Sequence, residues 1–441
     1  MPESGVCVWT SGRSLERTSP RGPSSENLIE PMAQRIEECE VLIIGAGPAG
    51  SVAAAMMRGR GRQVLVLERE QFPRFSIGES LLPQSMAYLE EAGMLRAVVE
   101  AGFQYKNGAA FIRGPQYTEF DFREKHSIGW GTTYQVQRGH FDHVLAMEAE
   151  RQGAEVRYRH EVTAADISGP MPIVDVKSAD GDSYVVRARK MLDASGFGRI
   201  LPRLLKLDRP SNFPVRGAIF THIADGTSPG DFDRNKIRII VHPEHVDVWY
   251  WLIPFSNGRA SIGVVAERAF LEQYKGTETE RLRQILFEDP TSKELLRNAS
   301  WDTPARQIVG YASNVSSLHG NGFALLGNAG EFLDPVFSSG VTIALKSASL
   351  ASACLDREFA GETVDWEKDF AKPLSKGVDT FRAFVESWYA GGFQRAIFYP
   401  KTDPNVPRYI SAILAGYAWD ETNPYVKHTK RRLMALEESC T

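Results

Sequence analysis

The order of apolar and polar positions predicts a strand, a helix and a second strand close to the N-terminus. Val41–Ile44 is a continuous apolar run, Ser51–Arg60 is predicted to be helical, and Arg62–Leu67 is the next apolar run. Short apolar runs bounded by turn residues are typical of strands buried on both faces, as in a parallel sheet. The pattern therefore predicts an α/β fold.

Further elements continue this pattern along the chain. Gln84–Glu100 carries an apolar stripe at helical spacing, and Val156–Val186 alternates between apolar and polar residues, with turn residues between its segments. The alternation is typical of an antiparallel insertion. Lys190–Leu192 and Phe323–Leu326 are short buried strands that we expect to return to the first sheet.

A second sheet is predicted in the middle of the chain, and helices after it. The expected strands are Gly217–Thr221, Lys236–Val241, Val246–Ile253 and Arg259–Val265. We expect them to form an antiparallel sheet on the substrate side. From Val341 onward the pattern is largely helical. The predicted organisation is a disordered tail (1–38), a nucleotide-binding part (39–350) with a sheet inserted at about 200–310, and a helical substrate cover (351–441).

Composition restricts the class of protein. With 441 residues, 43% apolar and 24% charged, the chain is ordinary for a globular protein, and a net charge of −4 favours neither nucleic acid nor an anionic membrane as partner. Four cysteines without CxxC spacing indicate no metal site and no disulfide framework, which fits the cytoplasm. The uncharged stretch Val41–Met57 contains three glycines and a proline, so we expect a strand, turn and helix rather than stable membrane insertion.

The first turn carries a dinucleotide fingerprint. Gly45-x-Gly47-x-Ala49-Gly50 joins the first strand to the helix, and Glu68 ends the second strand 18 positions after the last glycine. The glycines allow a tight turn and the close approach of a pyrophosphate to the helix N-terminus. Glu68 would accept hydrogen bonds from ribose hydroxyls. The motif predicts a Rossmann-type domain.

Two later motifs identify the cofactor. The fingerprint is followed by Asp193-Ala194-Ser195-Gly196 and by Gly327-Asn328-Ala329-Gly330. This order resembles the flavin monooxygenase superfamily related to p-hydroxybenzoate hydroxylase, which implies FAD rather than NAD. Arg138 matches the superfamily's cofactor-contacting arginine at the start of the following helix. Asn328 stands where relatives have Asp and keeps an acceptor for a ribityl hydroxyl.

Four further stretches narrow the resemblance. Trp249-x-Trp251-x-Ile253-Pro254 has the form W-x-W-x-I-P, and Gly78–Pro83 reads G-E-S-L-L-P. Phe103–Phe111 contains Lys106, and the fourth stretch is Phe332-x-x-Pro335-x-x-Ser338-x-Gly340. In this order the four resemble the flavin-dependent halogenases, of the type that acts on phenols and pyrroles and is related to tryptophan halogenases.

The resemblance implies a mechanism and a role for each motif. Reduced FAD and O2 would form a flavin hydroperoxide, and attack by chloride or bromide would release hypohalous acid. Ser339 and Gly340 would bind the halide through backbone N–H groups at a helix start. Trp249 and Trp251 would keep an organic substrate away from the flavin. Lys106 would receive the oxidant, either as an ammonium that hydrogen-bonds it or as a neutral amine that forms a haloamine.

The expected partners follow from what the chain lacks and what it resembles. No second nucleotide fingerprint is present for NAD(P)H, so we expect a separate flavin reductase to supply reduced FAD. The substrate would be an electron-rich aromatic, a phenol or pyrrole, either free or bound to a carrier protein. Glu331 and Asp334 flank the halide loop, and we expect both to be structural.

Three other interpretations stay open. A geranylgeranyl reductase-like flavoprotein shares the fold and has Y-x-W-x-F-P at this strand, where the chain has Trp249 and Ile253. A single-component aromatic hydroxylase would need an open path from its substrate to the flavin, which the tryptophans oppose. A flavoprotein that only senses or carries redox equivalents would not depend on Lys106. The halide, regiochemistry, flavin attachment and oligomeric state stay open as well.

Overall fold

The fold is described from a computed structural model that covers residues 35–228, 230–400 and 403–440. Most of the predicted disordered tail lies outside these residues. Its predicted end at residue 38 is wrong, because the first strand already begins at Ile36. Ile36 is in register with Val185 of a parallel neighbour, and Glu37 and Glu38 continue the same backbone pairing.

The described residues contain nineteen strands. In chain order they are β1 (Ile36–Ile44), β2 (Val64–Glu68), β3 (Gln104–Lys106), β4 (Gly108–Arg113), β5 (Gln116–Asp121), β6 (Thr133–Gln135), β7 (Glu155–Tyr158), β8 (His160–Asp166), β9 (Ile173–Ser178), β10 (Ser183–Asp193), β11 (Asp208–Pro210), β12 (Arg216–Ala224), β13 (Lys236–Val241), β14 (Trp249–Pro254), β15 (Arg259–Glu267), β16 (Arg306–Val309), β17 (Ser313–Val315), β18 (His319–Gly320) and β19 (Phe323–Leu325).

Fourteen α-helices occur in the same part of the chain. They are α1 (Pro48–Gly59), α2 (Gln84–Glu91), α3 (Leu95–Glu100), α4 (Arg138–Arg151), α5 (Ile200–Leu204), α6 (Arg268–Leu271), α7 (Glu278–Leu286), α8 (Pro290–Leu295), α9 (Gly340–Phe359), α10 (Lys372–Tyr389), α11 (Gly392–Phe398), α12 (Asn405–Leu414), α13 (Pro424–Lys427) and α14 (Thr429–Ser439). None of the helices in the described ranges is long and apolar enough to cross a membrane.

The first sheet confirms the predicted Rossmann-type architecture. Its strand order is β18-β19-β10-β1-β2-β7, and the pairs from β19 to β7 are parallel. Strands β8 and β9 extend from β10 as the predicted antiparallel insertion. The helix α1 begins at Pro48, three residues before the predicted start, because proline is well suited to the first helical position.

One predicted helix is in fact two. The stretch Gln84–Glu100 divides into α2 and α3, with a turn at Ala92–Met94. Gly93 has a φ of +68°, a left-handed conformation that ends a helix. The apolar stripe continues across the break because both helices pack on the same core.

The second sheet is mixed rather than purely antiparallel. Its order is β16-β12-β15-β14-β13-β4-β5, and β13 pairs with β4 in parallel. The four predicted strands are present, but β4 and β5 come from before residue 200, so the region predicted at about 200–310 is too narrow. Strand β14 begins at Trp249 rather than Val246, because Val248 N–H donates to His245 O in a turn, at 3.0 Å.

The helical C-terminal region shares its core with the cofactor-binding part. The predicted boundary at residue 350 falls inside α9, which runs unbroken to Phe359. Buried aromatic residues of the later helices, Phe381, Trp388 and Phe393, belong to the same apolar cluster as α1 and β1. That these helices cover a substrate stays a prediction.

Candidate active site

A cavity of about 600 Å³ lies where the carboxyl ends of β1, β2 and β10 face the second sheet. One end is formed by the glycine turn and Glu68, and the other by residues of the second sheet, including both predicted tryptophans. The carboxyl ends of parallel strands are where open α/β sheets bind ligands.

The glycine turn has the close approaches that its motif predicts. Gly45 has a φ of +97°, and a Cβ there would lie 2.7 Å from Ala194 O. A Cβ on Gly50 would lie 1.9 Å from Gly45 O, so this position packs the helix against the turn. A Cβ on Gly47 would meet only the tip of the Arg74 side chain, at 3.6 Å. Gly47 and Ala49 line the cavity, where backbone N–H groups at the start of α1 can receive a pyrophosphate.

Glu68 also lines the cavity, and it supports the same turn. Its Oε2 accepts from Ala46 N–H at 2.9 Å, and its Oε1 accepts from Glu70 N–H at 2.9 Å. A carboxylate oxygen accepts more than one hydrogen bond, so contact with a ribose stays available.

Arg138 begins α4 and lines the cavity as one member of a buried ionic group. It donates to Asp142 through Nε and Nη2, at 2.7 and 2.9 Å, and Arg74 donates to the same carboxylate at 2.9 Å. Arg138 Nη1 also donates to Ile77 O at 2.6 Å. The arginine therefore holds the G-E-S-L-L-P segment against the cavity.

The Gly327–Asn328 loop faces the cavity and is fixed from behind. Gly327 has a φ of +52°, and its N–H donates to Ser347 Oγ at 2.9 Å. Arg199 Nη1 donates to the carbonyls of Asn328 and Ala329 at 3.1 and 3.3 Å. Sequence reasoning missed Arg199, which stands three residues after the Asp193–Gly196 motif and could have been found by its closeness to that motif.

The predicted halide loop stands at the start of α9. Ser338 has a φ of +56°, Ser339 is the N-cap residue, and Gly340 is the first helical residue. Ser338 and Gly340 line the cavity, whereas Ser339 is buried. The first N–H groups of a helix have no acceptor within it, so this loop can bind an anion.

Trp249 and Trp251 form a wall at the far end of the cavity. Both are buried in β14, and their rings lie 6.0 Å apart between centroids. Trp251 Nε1 donates to Ser261 Oγ at 3.0 Å, and Trp249 Nε1 donates to Tyr389 Oη at 3.0 Å. Each indole therefore has its polar atom satisfied, which fixes the orientation of both rings.

The wall is connected to the halide loop by a buried carboxyl group. Tyr389 donates to Asp334 Oδ2 at 2.9 Å, and Asp334 Oδ1 accepts from Val336 N–H at 3.0 Å. Burial raises the pKa of Asp334 to about 6, against the lowering effect of these hydrogen bonds. The expectation that Asp334 is structural fits this geometry, although no sequence signal pointed to Tyr389. Glu331 instead pairs with Arg382, outside the cavity lining.

Lys106 is fully buried and its ammonium has no carboxylate partner among the described residues. Nζ donates to Ser80 Oγ and to Leu81 O, both at 2.7 Å, and lies 5.4 Å from the centre of the Phe122 ring. Burial lowers its pKa to about 7. Lys106 is not itself in the cavity lining, but Ser80, its hydrogen-bond partner, is. The lysine therefore stands one side chain behind the cavity surface.

Glu79 and His222 form a second pair that sequence reasoning did not find. Glu79 is 1% exposed, lines the cavity and accepts from His222 Nε2 through Oε1 at 2.6 Å. Its other oxygen, Oε2, is buried and has no hydrogen-bond partner among the residues that the structure describes. The G-E-S-L-L-P motif contains Glu79, but nothing in the sequence near His222 indicates the pairing.

The cavity fits FAD on its own chemistry. Its glycine end presents a bare backbone at Gly47, as a pyrophosphate requires, and its far end is lined by flat aromatic and aliphatic side chains suited to a ring system. Glu79 Oε2 is a buried acceptor that needs a donor from an occupant of the cavity.

Comparison with known proteins agrees with this geometry. The FAD binding domain family model matches residues 38–344. The chain is 30% identical to flavin-dependent halogenase gsfI of Penicillium aethiopicum, over 79% of this chain and 70% of that protein. It is 27% identical to the 1H-pyrrole-2-carbonyl-[peptidyl-carrier protein] chlorinase of Pseudomonas fluorescens, over 91% and 94%. It is 30% identical to tryptophan 2-halogenase of Chondromyces crocatus, of which it spans 62%.

Two solved structures have the same fold. A flavoprotein/dehydrogenase from Cytophaga hutchinsonii is 44% identical with a TM-score of 0.89, over 92% of this chain and 99% of that one. The flavin-dependent brominase Bmp2 is 25% identical with a TM-score of 0.78, over 92% of this chain and 100% of that one. The chain therefore belongs to the flavin-dependent halogenase family and is an FAD-dependent enzyme.

Proposed function

We propose that the protein uses reduced FAD, O2 and chloride or bromide to halogenate an electron-rich aromatic substrate, a phenol or a pyrrole. The observation that carries the proposal is Lys106, which is buried, has no carboxylate partner in the described part of the chain and lies directly behind Ser80 at the cavity surface. A buried cation without a counter-charge is unfavourable for folding, so its presence at this position points to a function. Such a lysine is suited to receive a small electrophile.

The cofactor would be held by residues that already line the cavity. Gly45, Gly47 and Ala49 would receive the pyrophosphate, Glu68 the ribose, and Asn328 a ribityl hydroxyl. Gly50 and Gly327 would support the turns, and Arg138 would hold the segment beside the ring. When bound, reduced FAD supplies the two electrons that, with the halide, reduce O2 to water and leave hypohalous acid.

Two other groups would control the halide and the oxidant. The N–H groups of Ser339 and Gly340 would bind the halide in a site from which the tryptophan wall excludes organic substrate. The rings of Trp249 and Trp251, held by these hydrogen bonds, would let a small neutral molecule pass while blocking an aromatic one. Neither tryptophan needs to react.

Lys106 would then transfer the halogen. With a pKa of about 7, the side chain is neutral in a large fraction of molecules at neutral pH. The neutral amine and hypohalous acid give a haloamine and water. Attack by the aromatic ring takes the halogen from nitrogen, and the amine nitrogen takes up the proton that the ring carbon loses. At this pKa the amine and the ammonium are both populated at neutral pH, and of the two alternatives that the sequence leaves open we propose the amine route.

The partners follow from the relatives. We infer a separate flavin reductase as the source of reduced FAD. The substrate is free or attached to a carrier protein, the form named for the Pseudomonas fluorescens chlorinase. Bmp2 is named a brominase and the Pseudomonas relative a chlorinase, so both halides belong in the assay.

A second candidate is a flavin-linked dehydrogenase or reductase that acts directly on an organic substrate. The 44% identical Cytophaga hutchinsonii structure is described as a flavoprotein/dehydrogenase, which favours it. Such an enzyme needs the substrate to contact the flavin ring. It would therefore require a path past Trp249 and would not depend on the Lys106 amine.

The test is halogenation by purified protein supplied with enzymatically regenerated reduced FAD, O2 and bromide or chloride. An electron-rich phenol and a free pyrrole are the acceptors, and mass spectrometry detects the halogen isotope pattern. We expect Lys106→Met to lower product formation at least about a thousandfold, since removing a covalent nucleophile has effects of that order. The control is Lys346→Met, because Lys346 is a partly buried lysine outside the cavity lining.

The outcomes separate the candidates. Halogenated product that disappears in Lys106→Met while FAD binding persists supports the proposal. Oxidation or reduction of an organic substrate that Lys106→Met leaves intact would replace it with the second candidate, and hydroxylated product would replace it with an aromatic hydroxylase.

A further inference from the structure

Glu79 presents an unpaired acceptor to the cavity. Its side chain is buried, and Oε1 is engaged by His222 Nε2 at 2.6 Å. Oε2 is also buried, yet nothing in the described protein donates to it. Leaving a buried charged acceptor without a donor is unfavourable, so such an atom in a cavity lining points to a donor on the bound molecule.

The pair lies at the tryptophan end of the cavity. His222 is on β12, two residues after Phe220, whose ring lies 6.2 Å from that of Trp251. The His222 ring also contacts Phe75, with 5.5 Å between the centroids. The phosphate-binding glycines are at the other end. The part of the cofactor nearest Glu79 is therefore the ring system, not the pyrophosphate.

We propose that Glu79 makes this site select reduced FAD over oxidised FAD. The inference deepens the proposed function, since it rests on FAD binding with its ring at the tryptophan end. Reduction of the ring places an N–H donor at N5, where the oxidised ring has only a lone pair. A carboxylate oxygen accepts a hydrogen bond from the N–H of the reduced ring and is repelled by the lone pair of the oxidised ring. His222 supports this by donating to Oε1, which fixes the orientation of the Glu79 carboxylate.

Selection of the reduced state suits an enzyme that receives its cofactor from another protein. Oxidised FAD left after turnover would bind less tightly and leave, and reduced FAD would replace it. Glu79 is thus a specificity residue for the redox state of the cofactor, separate from Lys106, which handles the halogen.

The test measures the dissociation constants of oxidised FAD in air and of reduced FAD without oxygen, in wild type and in Glu79→Gln. Glutamine keeps the shape, loses the charge and can turn an N–H toward the ring. We expect the preference for reduced FAD to fall about tenfold, the usual size for a charge-assisted hydrogen bond. For a two-electron couple this equals a drop of about 30 mV in the midpoint potential of the bound cofactor. Asp289→Asn, a buried carboxylate that caps α8 away from the cavity, should change neither quantity.

A second measurement needs no variant. In 5-deaza-FAD a carbon replaces N5, so reduction creates no N–H donor there. The preference of wild type for the reduced over the oxidised cofactor should be about tenfold smaller with this analogue than with FAD. An unchanged preference in both experiments, or a preference for reduced FAD that grows in Glu79→Gln, overturns the inference. If neither form of FAD binds, the proposed function fails instead. If the protein halogenates its substrate but the preference for reduced FAD is unchanged, only the proposed role of Glu79 is refuted and the proposed function stands.

Discussion

The two ends of the cavity are built in different ways. The glycine end is a single turn of chain between β1 and α1, and its shape depends on the absence of side chains at Gly45 and Gly50. The tryptophan end brings together β14, the segment before α2, the loop before α9 and the end of α10. Its shape depends on side-chain hydrogen bonds between residues as far apart as Trp249 and Tyr389.

The difference shows where each end is vulnerable. A tight backbone turn fails when any atom is added, since the nearest neighbours are themselves backbone. A buried network of polar side chains fails when one partner is removed, because the remaining groups lose their hydrogen bonds. The two ends should therefore respond to opposite kinds of substitution.

The largest effect is expected at the glycine end. In Gly50→Ala the new Cβ would stand 1.9 Å from Gly45 O, and the turn must open. We expect a loss of about 3 kcal/mol or more in the free energy of unfolding, together with loss of FAD binding. Denaturant titration and FAD fluorescence would measure both.

The matched control is Gly59→Ala in the same helix, where a Cβ meets nothing within 4 Å. Alanine there should raise stability by about 0.5 to 1 kcal/mol, because glycine is a poor helix former. If both variants lower the free energy of unfolding equally, the close contact at Gly50 is not the cause of the loss.

The next effect tests the tryptophan end. Tyr389→Phe leaves Trp249 Nε1 without its acceptor and Asp334 Oδ2 without its closest donor. We expect a loss of about 2 kcal/mol in the free energy of unfolding and a shifted tryptophan emission spectrum. Tyr250→Phe removes a hydroxyl that donates to one carbonyl, that of Ile285, and should cost about half as much. If the two variants have the same free energy of unfolding and the same emission spectrum, the hydrogen bonds that connect the wall to the halide loop do not stabilise the protein.

Counted per pH unit, the smallest effect concerns the buried charge of Lys106. Its folded pKa of about 7 lies below its ordinary value of 10.5, so between these pH values the unfolded chain binds a proton that the folded chain does not. The free energy of unfolding should therefore gain up to about 1.4 kcal/mol per pH unit from this group as the pH rises above 7. The unfavourable term is fully present below pH 7.

The measurement is denaturant unfolding at pH 7, 8 and 9 in wild type and Lys106→Met. Methionine cannot titrate, so the free energy of unfolding of wild type should rise relative to that of the variant as the pH rises. A constant difference would mean that the Lys106 ammonium is stabilised inside the fold.

The cofactor-binding part of the fold was largely predictable from sequence because its signals are local. The β1–α1 turn, Glu68 at the end of β2 and the parallel pairing all follow from residues within one stretch of chain. Where local signals were weak the predictions failed, as at Gly93, whose positive φ breaks an otherwise continuous apolar stripe. The pairing of β4 with β13 was not predicted for another reason. A parallel pairing between segments that are far apart in the chain gives no signal in the sequence of either segment.

The sequence by itself predicted the chemistry that we propose for the protein: a flavin, a halide loop, a pair of tryptophans and one lysine, each marked by residue types at fixed spacing. Only the tertiary structure decided how these groups are tuned. Burial lowers the pKa of Lys106 to about 7, His222 pairs with Glu79, and Tyr389 joins Trp249 to Asp334. Desolvation and hydrogen bonding depend on which distant segments meet, and that is settled only when the chain has folded.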